Sequence, residues 1–308
     1  MGGSGGGFFG GIDPLDQANK VRDTEKRAQD TAYETDVNEY LSSELAIYND
    51  RDSETVQSII NHIKNDLKDQ TEGTIDLLYG GSIAKHTYVD GLSDVDALVL
   101  FDKTDVADKT PKQLRNLLAQ NLKERYGEEN VRVGRLAVTV NFKANDIQLL
   151  PALRIGDSFK ISSNDGKIWS RIRPQKFAEV LTKVNQSKSG KVIPTVKLSK
   201  AIMSNLPEKQ QLSGYHIESL AVKIFKNYNG SMTPKAMLTN FFEQASSAVK
   251  DPIKDSTGQS IHVDDYLGPK NSTQRRIVSM ALDRISRKIK NADGMRSVER
   301  WKIIIGEK

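Results

Sequence analysis

The stretch Tyr79-Gly80-Gly81-Ser82-Ile83-Ala84-Lys85-His86-Thr87, followed by Gly91-Leu92-Ser93-Asp94-Val95-Asp96-Ala97-Leu98-Val99-Leu100, constrains this chain more than any other. Its small residues read as a turn that ends one strand and opens a helix. Asp94 and Asp96 stand at alternate positions at the head of an apolar strand, so the alternation puts both carboxylates on one side. Two like charges a few ångströms apart repel by roughly 4 kcal/mol at an effective dielectric near 20. A fold keeps such a pair where a divalent cation sits between the acids, and oxygen donors with no Cys or His nearby suit Mg²⁺ or Mn²⁺. The pattern reads as a phosphate-holding turn beside a metal site.

Composition narrows the classes. The chain has 308 residues, enough for one or two domains with a substantial core. It has no Cys, which excludes disulfides, thiolate zinc sites and Cys nucleophiles. Four His argue against a His-rich metal site. No apolar run approaches the roughly 20 residues that span a bilayer, and no charged-then-apolar leader opens the chain; a cytoplasmic protein with no membrane partner is expected. The net charge of +5 is uneven: residues 132–200 hold 14 Lys and Arg against 4 Asp and Glu, a local +10. That concentration points to an anionic partner, nucleotides or nucleic acid, with a solvated basic surface as the plainer reading.

Along the chain, residues 1–12 form a Gly-rich flexible tail. Helical spacing runs from Asp13 to about Tyr48 and from about Ser53 to Lys68. Strands are predicted at 74–79, 95–101, 131–133, 136–142 and 147–150, and an amphipathic helix at 111–126. After Pro174 the period is helical again, at about 175–186, 191–205, 214–228, 233–248, 271–291 and 296–304. The division is a core at 13–174, including the long first helix, which is free to lie across both halves, and a helical domain at 175–308.

A further acid begins Asn145-Asp146-Ile147-Gln148-Leu149-Leu150-Pro151, leaving a hairpin, with Ile147 and Leu149 on the opposite face. An Asp there is by itself a common turn former. Together, however, Gly81-Ser82, Asp94-Val95-Asp96 and Asp146-Ile147-Gln148-Leu149-Leu150-Pro151 resemble the three motifs of DNA polymerase beta-type nucleotidyltransferases. The resemblance implies an α+β fold: a polymerase beta-like core, a mixed sheet with flanking helices, followed by a helical bundle, two lobes around a central cleft. It implies that Asp94, Asp96 and Asp146 are the catalytic metal ligands for two Mg²⁺ ions, with Mn²⁺ as a substitute. Asp146 would also activate the attacking hydroxyl. Gly81, Ser82 and the amides opening their helix would hold the β- and γ-phosphates. Lys85, one turn on, reaches the same phosphates or faces solvent.

In the second half, Val196-Lys197-Leu198-Ser199-Lys200 and Leu212-Ser213-Gly214-Tyr215-His216-Ile217-Glu218-Ser219-Leu220 resemble the paired helices of oligoadenylate synthases and of bacterial cGAS/DncV-like nucleotidyltransferases (CD-NTases) of CBASS anti-phage systems. That resemblance assigns Lys197, Lys200 and Ser213 to the triphosphate, against an exposed helix face as the alternative for the two lysines. Tyr215 stacks on a base or fills the helix junction; the junction is favoured. His216 reads as a satisfied helix residue, and Trp169 and Trp301 as core or interface anchors. The implied activity is template-independent synthesis of a cyclic di- or trinucleotide second messenger from NTPs, ATP among them, with release of pyrophosphate. The implied partners are an effector reached through the product and CBASS accessory proteins. The alternatives are an RNA-end nucleotidyltransferase of the poly(A) or CCA-adding type, and a non-catalytic nucleotide-binding module.

Overall fold

A computed structural model describes residues 14–49, 53–70, 74–79, 95–102, 108–142, 145–156, 158–163, 166–254, 256 and 263–306. The expectations placed on residues 1–12, Gly81, Ser82, Lys85 and Asp94 lie outside these residues, as does the side chain of Asp96.

In chain order the elements are α1 (Pro14–Asn49), α2 (Ser53–Gln70), β1 (Thr74–Tyr79), β2 (Val95–Asp102) and α3 (Pro111–Tyr126), then β3 (Val131–Val133), β4 (Val138–Phe142), β5 (Asn145–Ile155), β6 (Ser158–Ser162) and β7 (Trp169–Ile172). The helical half follows: α4 (Pro174–Ser187), α5 (Val192–Ser204), α6 (Gly214–Phe225), α7 (Pro234–Ala248), α8 (Thr273–Gly294) and α9 (Val298–Ile305). Among the described residues the seven strands form one sheet with the path β1-β2-β5-β4-β3, while β6 continues from β5 and carries β7. The β2–β5 pair is parallel and the rest are antiparallel, so the sheet is mixed, as the sequence predicts.

Alternation gives that sheet two different faces. Ala97, Val99, Phe101, Val131, Val138, Val140, Ile147 and Leu149 point to one side, where α2 (Ile59, Ile60, Ile63, Leu67) and α3 (Leu114, Leu118, Leu122) cover them. Helix α3 starts on a full capping box, with Thr110 and Gln113 satisfying each other's backbone amides and Pro111 in its first turn. Asp66 of α2 ties the two covering helices, accepting from Arg125 at 2.9 Å and from the Tyr126 hydroxyl at 2.6 Å.

The helical half has its own core, containing Phe177, Phe225, Phe241, Phe242, Leu282 and Trp301. Helix α1 shares this core through Tyr33, Val37 and Leu41. The Tyr33 hydroxyl donates to Asp293 at 2.8 Å and accepts from Trp301 Nε1 at 2.9 Å. The long first helix therefore packs with the helical half. Both tryptophans are anchors: Trp301 is fully buried, and Trp169 packs against the sheet core and donates to the Lys109 carbonyl at 3.2 Å.

Sequence reading ends one strand at Leu150 and places none at 158–162 or 169–172. The structure extends β5 to Ile155 and adds β6 and β7. Pro151 reads as a stop because it cannot donate to a ladder. Here it falls between the last β4 pair, Leu149 with Val138, and the first β6 pair, Ala152 with Ile161.

Candidate active site

Cross-strand register places the acids. Val131, Val140 and Ile147 are successive partners across β3, β4 and β5 on the covered side, and position 95 of β2 pairs with Ile147. The next row runs Arg132, Thr139, Gln148, Asp96. Asn141 and Asp146 pair one step to the other side of the Ile147 row. With a two-residue side-chain period, positions 96 and 146 share the face opposite the α2–α3 core. That face turns apolar beyond them, at Leu98, Leu100, Leu150 and Ala152. The polar row is therefore confined to the edge where β2 and β5 begin.

Around Asp146 the structure adds two residues that sequence reasoning missed. Arg132 makes an ion pair with one carboxylate oxygen, and Asn141 Nδ2 donates to the other at 2.8 Å. The pairing of 142 with 145 makes 141 and 146 opposite neighbours, so the hairpin itself carried the signal for Asn141. Arg132 needed the register of a third strand. Among the described residues no group of three or more His, Asp or Glu side chains is gathered that could hold a metal ion. Of the three acids singled out in the sequence, Asp146 is the one whose side chain is described, and a carboxylate in a chain without Cys is the donor chemistry that suits a hard divalent cation.

The second cluster joins α5 and α6. Lys200 is buried and donates to Glu218 Oε1 at 2.9 Å, with 7% and 1% of the two side chains exposed. This is neither an exposed helix face nor an open lysine: the ammonium is fixed inside the helix pair. It lies against Gly214, where an added Cβ would come within 3.3 Å of Lys200 Cε and 3.4 Å of Nζ. Gly214 is the first residue of α6, so a cation stands at the positive end of a helix, an unfavourable place that Glu218 offsets. Burial, and then the charge of Lys200, hold the Lys197 ammonium below the usual lysine range. Two ammonium groups one turn apart on α5, that of Lys200 beside the N-terminus of α6, suit a polyanion.

Ser213 caps α6, its hydroxyl accepting from the His216 amide at 3.3 Å. Tyr215 packs on Phe177, ring centroids 4.6 Å apart, so the junction reading describes it. His216 is fully buried, and its Nδ1 lies 3.0 Å from the Tyr266 hydroxyl. Burial pushes the imidazole down to about 4, with Arg275 adding to the effect and Asp264 opposing it. Arg275 itself is buried against Asp264 at 2.7 Å. Glu218 and Tyr266 carried no signal in the sequence beyond being polar residues near a helix start. No helix among the described residues is long and apolar enough to cross a membrane.

Residues 34–185, spanning the end of α1 through the sheet to α4, match the Second Messenger Oligonucleotide or Dinucleotide Synthetase (SMODS) domain. No curated protein is matched by sequence. Among solved structures, Escherichia coli MS115-1 CdnC with ATP is similar at a TM-score of 0.64 and 16% identity, over 86% of this chain and 93% of that one. The GTP-bound form of Vibrio cholerae DncV is similar at 0.60 and 13%, over 94% and 90%. The Bradyrhizobium diazoefficiens CD-NTase CdnG in complex with GTP gives 0.60 and 15%, over 84% and 96%. These likenesses establish the fold, and the domain match falls on the sheet that carries Asp96 and Asp146. With both in place, residues 34–185 carry the match to the SMODS domain, and the fold is the one seen in the cGAS/DncV-like nucleotidyltransferases that the motifs resemble.

Proposed function

We propose that this chain joins nucleoside triphosphates, ATP among them, into a cyclic di- or trinucleotide and releases pyrophosphate. The observation that carries this reading is the shared face of positions 96 and 146 at the edge where β2 and β5 begin. Asp94, Asp96 and Asp146 would hold two Mg²⁺ ions, with Mn²⁺ as a substitute. Bound magnesium supplies charge neutralisation at the reacting phosphate and at the leaving pyrophosphate.

In the chain's own terms, Asp146 takes the proton of an acceptor 3′- or 2′-hydroxyl. That oxygen bonds to an α-phosphorus, the bond from it to the bridging oxygen of the β-phosphate breaks, and pyrophosphate departs. Gly81, Ser82 and Lys85 hold the phosphates from the sheet side. Lys197, Lys200 and Ser213 hold them from the helical side, neutralising a polyanion of about four charges. A second attack within the linear intermediate closes the ring.

The setting we propose is cytoplasmic anti-phage defence of the CBASS type, with an effector reached through the product. The solved complex of E. coli CdnC with a HORMA protein supports an accessory protein as a further partner. RNA-end extension is the second reading, favoured by the basic stretch 132–200. Parts of that stretch are otherwise engaged: Arg132 with Asp146, Lys188 with the Tyr228 carbonyl and Lys200 with Glu218.

The test is to incubate the protein with the four NTPs and Mg²⁺, treat with phosphatase and analyse by mass spectrometry. A small phosphatase-resistant product supports cyclisation. Lengthened RNA supports the second reading, and no product in any condition contradicts both.

A further inference from the structure

The strongest unexplained feature is a polar chain, buried at His216, Asp264 and Arg275 and exposed at Tyr266, that reaches the N-terminus of α6 from the segment before α8. The Ser213 amide donates to the Tyr266 hydroxyl at 3.0 Å, and that hydroxyl lies 3.0 Å from His216 Nδ1. A hydroxyl that accepts from an amide has its own proton left to give, so Tyr266 donates to Nδ1, which fixes the imidazole tautomer with its proton on Nε2. Nε2 makes no hydrogen bond and lies 3.9 Å from Asp264. Asp264, 1% exposed, is locked by Arg275 at 2.7 Å and by the Ile253 amide at 2.9 Å. Arg275 is also 1% exposed and bonds the carbonyls of Val249 and Gly268.

This is more fastening than one helix start requires. Ser213 already caps α6 through its own hydroxyl, as Ser272 caps α8 and Ser297 caps α9. The chain ends on the backbone of the N-cap whose neighbour Gly214 borders Lys200.

We propose that Tyr266 is a positioning residue for the nucleotide's phosphates: it holds the Ser213 backbone so that the Ser213 hydroxyl faces the ligand together with Lys200. This rests on the reading of Ser213 as a phosphate contact. The Tyr266 hydroxyl touches no substrate in this scheme and acts through Ser213 alone. A group that acts through one contact shows a signature in a double-mutant cycle: its loss vanishes once that contact is gone.

The experiment uses the full chain, an equimolar mixture of the four NTPs and Mg²⁺, with pyrophosphate release as the readout, for Tyr266→Phe, Ser213→Ala and the double variant. A lost hydrogen bond of ordinary strength gives about a fivefold rise in KM. The expectation is that rise in each single variant, kcat within about twofold of the unaltered chain, and a double variant no worse than Ser213→Ala. The thermal melt of Tyr266→Phe should stay within a few degrees, since the ring is retained. An unchanged KM in Tyr266→Phe beside a raised one in Ser213→Ala overturns the proposal. Losses that multiply to about 25-fold in the double variant overturn it too, because Tyr266 would then act elsewhere. An unchanged KM in Ser213→Ala removes Ser213 from the site, and no pyrophosphate release by the unaltered chain removes the proposed activity; either takes this inference with it.

Discussion

Lys200 and Glu218 form an ion pair at 2.9 Å with almost no solvent contact on either side. Removing one partner of such a pair strands the other charge in a low-dielectric site, at about 3–5 kcal/mol. Lys200→Ala is therefore expected to lower unfolding free energy by that amount in a guanidinium titration, besides weakening NTP binding. Replacing both, as Lys200→Met with Glu218→Leu, should cost far less stability while still losing NTP affinity. Equal destabilisation in the single and double variants would contradict the buried-pair reading, and an unaltered NTP affinity in the double variant would remove Lys200 from the site.

Asp146 behaves differently because its partners are near solvent. The Arg132 and Asp146 side chains are 66% and 34% exposed, and pairs of that kind contribute roughly 0–1 kcal/mol. Asp146→Asn should abolish nucleotide transfer with a melting temperature within a few degrees of the original. Asp94→Asn and Asp96→Asn should do the same, with the melt unchanged or raised as like-charge repulsion is relieved. Retained turnover in any of the three contradicts the assignment.

His216 predicts a window of acid sensitivity. Its folded value is about 4 against an ordinary 6.5, so the unfolded chain takes up a proton that the folded chain refuses. Stability from this group is complete above pH 6.5 and is lost as pH falls towards 4, by up to about 3 kcal/mol at 1.36 kcal/mol per unit. Denaturant midpoints of the unaltered chain and of His216→Asn, measured at pH 7 and pH 4.5, isolate this slope from that of the carboxylates. A slope equally steep in the variant would contradict it.

Trp301 fastens α9 and α1 to the same core. Trp301→Ala should cost about 3–5 kcal/mol through the cavity left by a fully buried indole. Tyr33→Phe should cost about 1–3 kcal/mol, because it leaves the buried Trp301 N–H without its acceptor. Urea titrations of the two variants check the ranking, and a larger loss in Tyr33→Phe than in Trp301→Ala would reverse it.

Much of this was legible in the sequence because the relevant signals are local. The 3.6-residue spacing of Ile59, Ile60, Ile63 and Leu67 gave α2, the Thr110-Pro111 start gave α3, and the apolar run after Asp96 gave β2. What stayed hidden depends on pairing. β6 and β7 are short and carry Ser, Lys and Arg, and they are strands because β5 extends past Pro151 to meet them. Glu218 reads as a polar helix residue, and only the α5–α6 packing buries it against Lys200. Tyr266 reaches Ser213 across 53 residues, beyond any periodic signal. Counting α1 with the 13–174 core follows chain order, whereas its buried face, through Tyr33, Val37 and Leu41, packs with the helical half.

The central claim is that the acids of β2 and β5 meet on bound metal. Its most direct test is a crystal soaked with Mn²⁺ and a nonhydrolysable ATP analogue, read by anomalous diffraction. Two peaks beside the triphosphate, bordered by Asp94 and Asp96 and with Asp146 turned from Arg132 to the second, are the predicted result. A bound analogue with no manganese peak, and Asp146 still paired with Arg132, would contradict it.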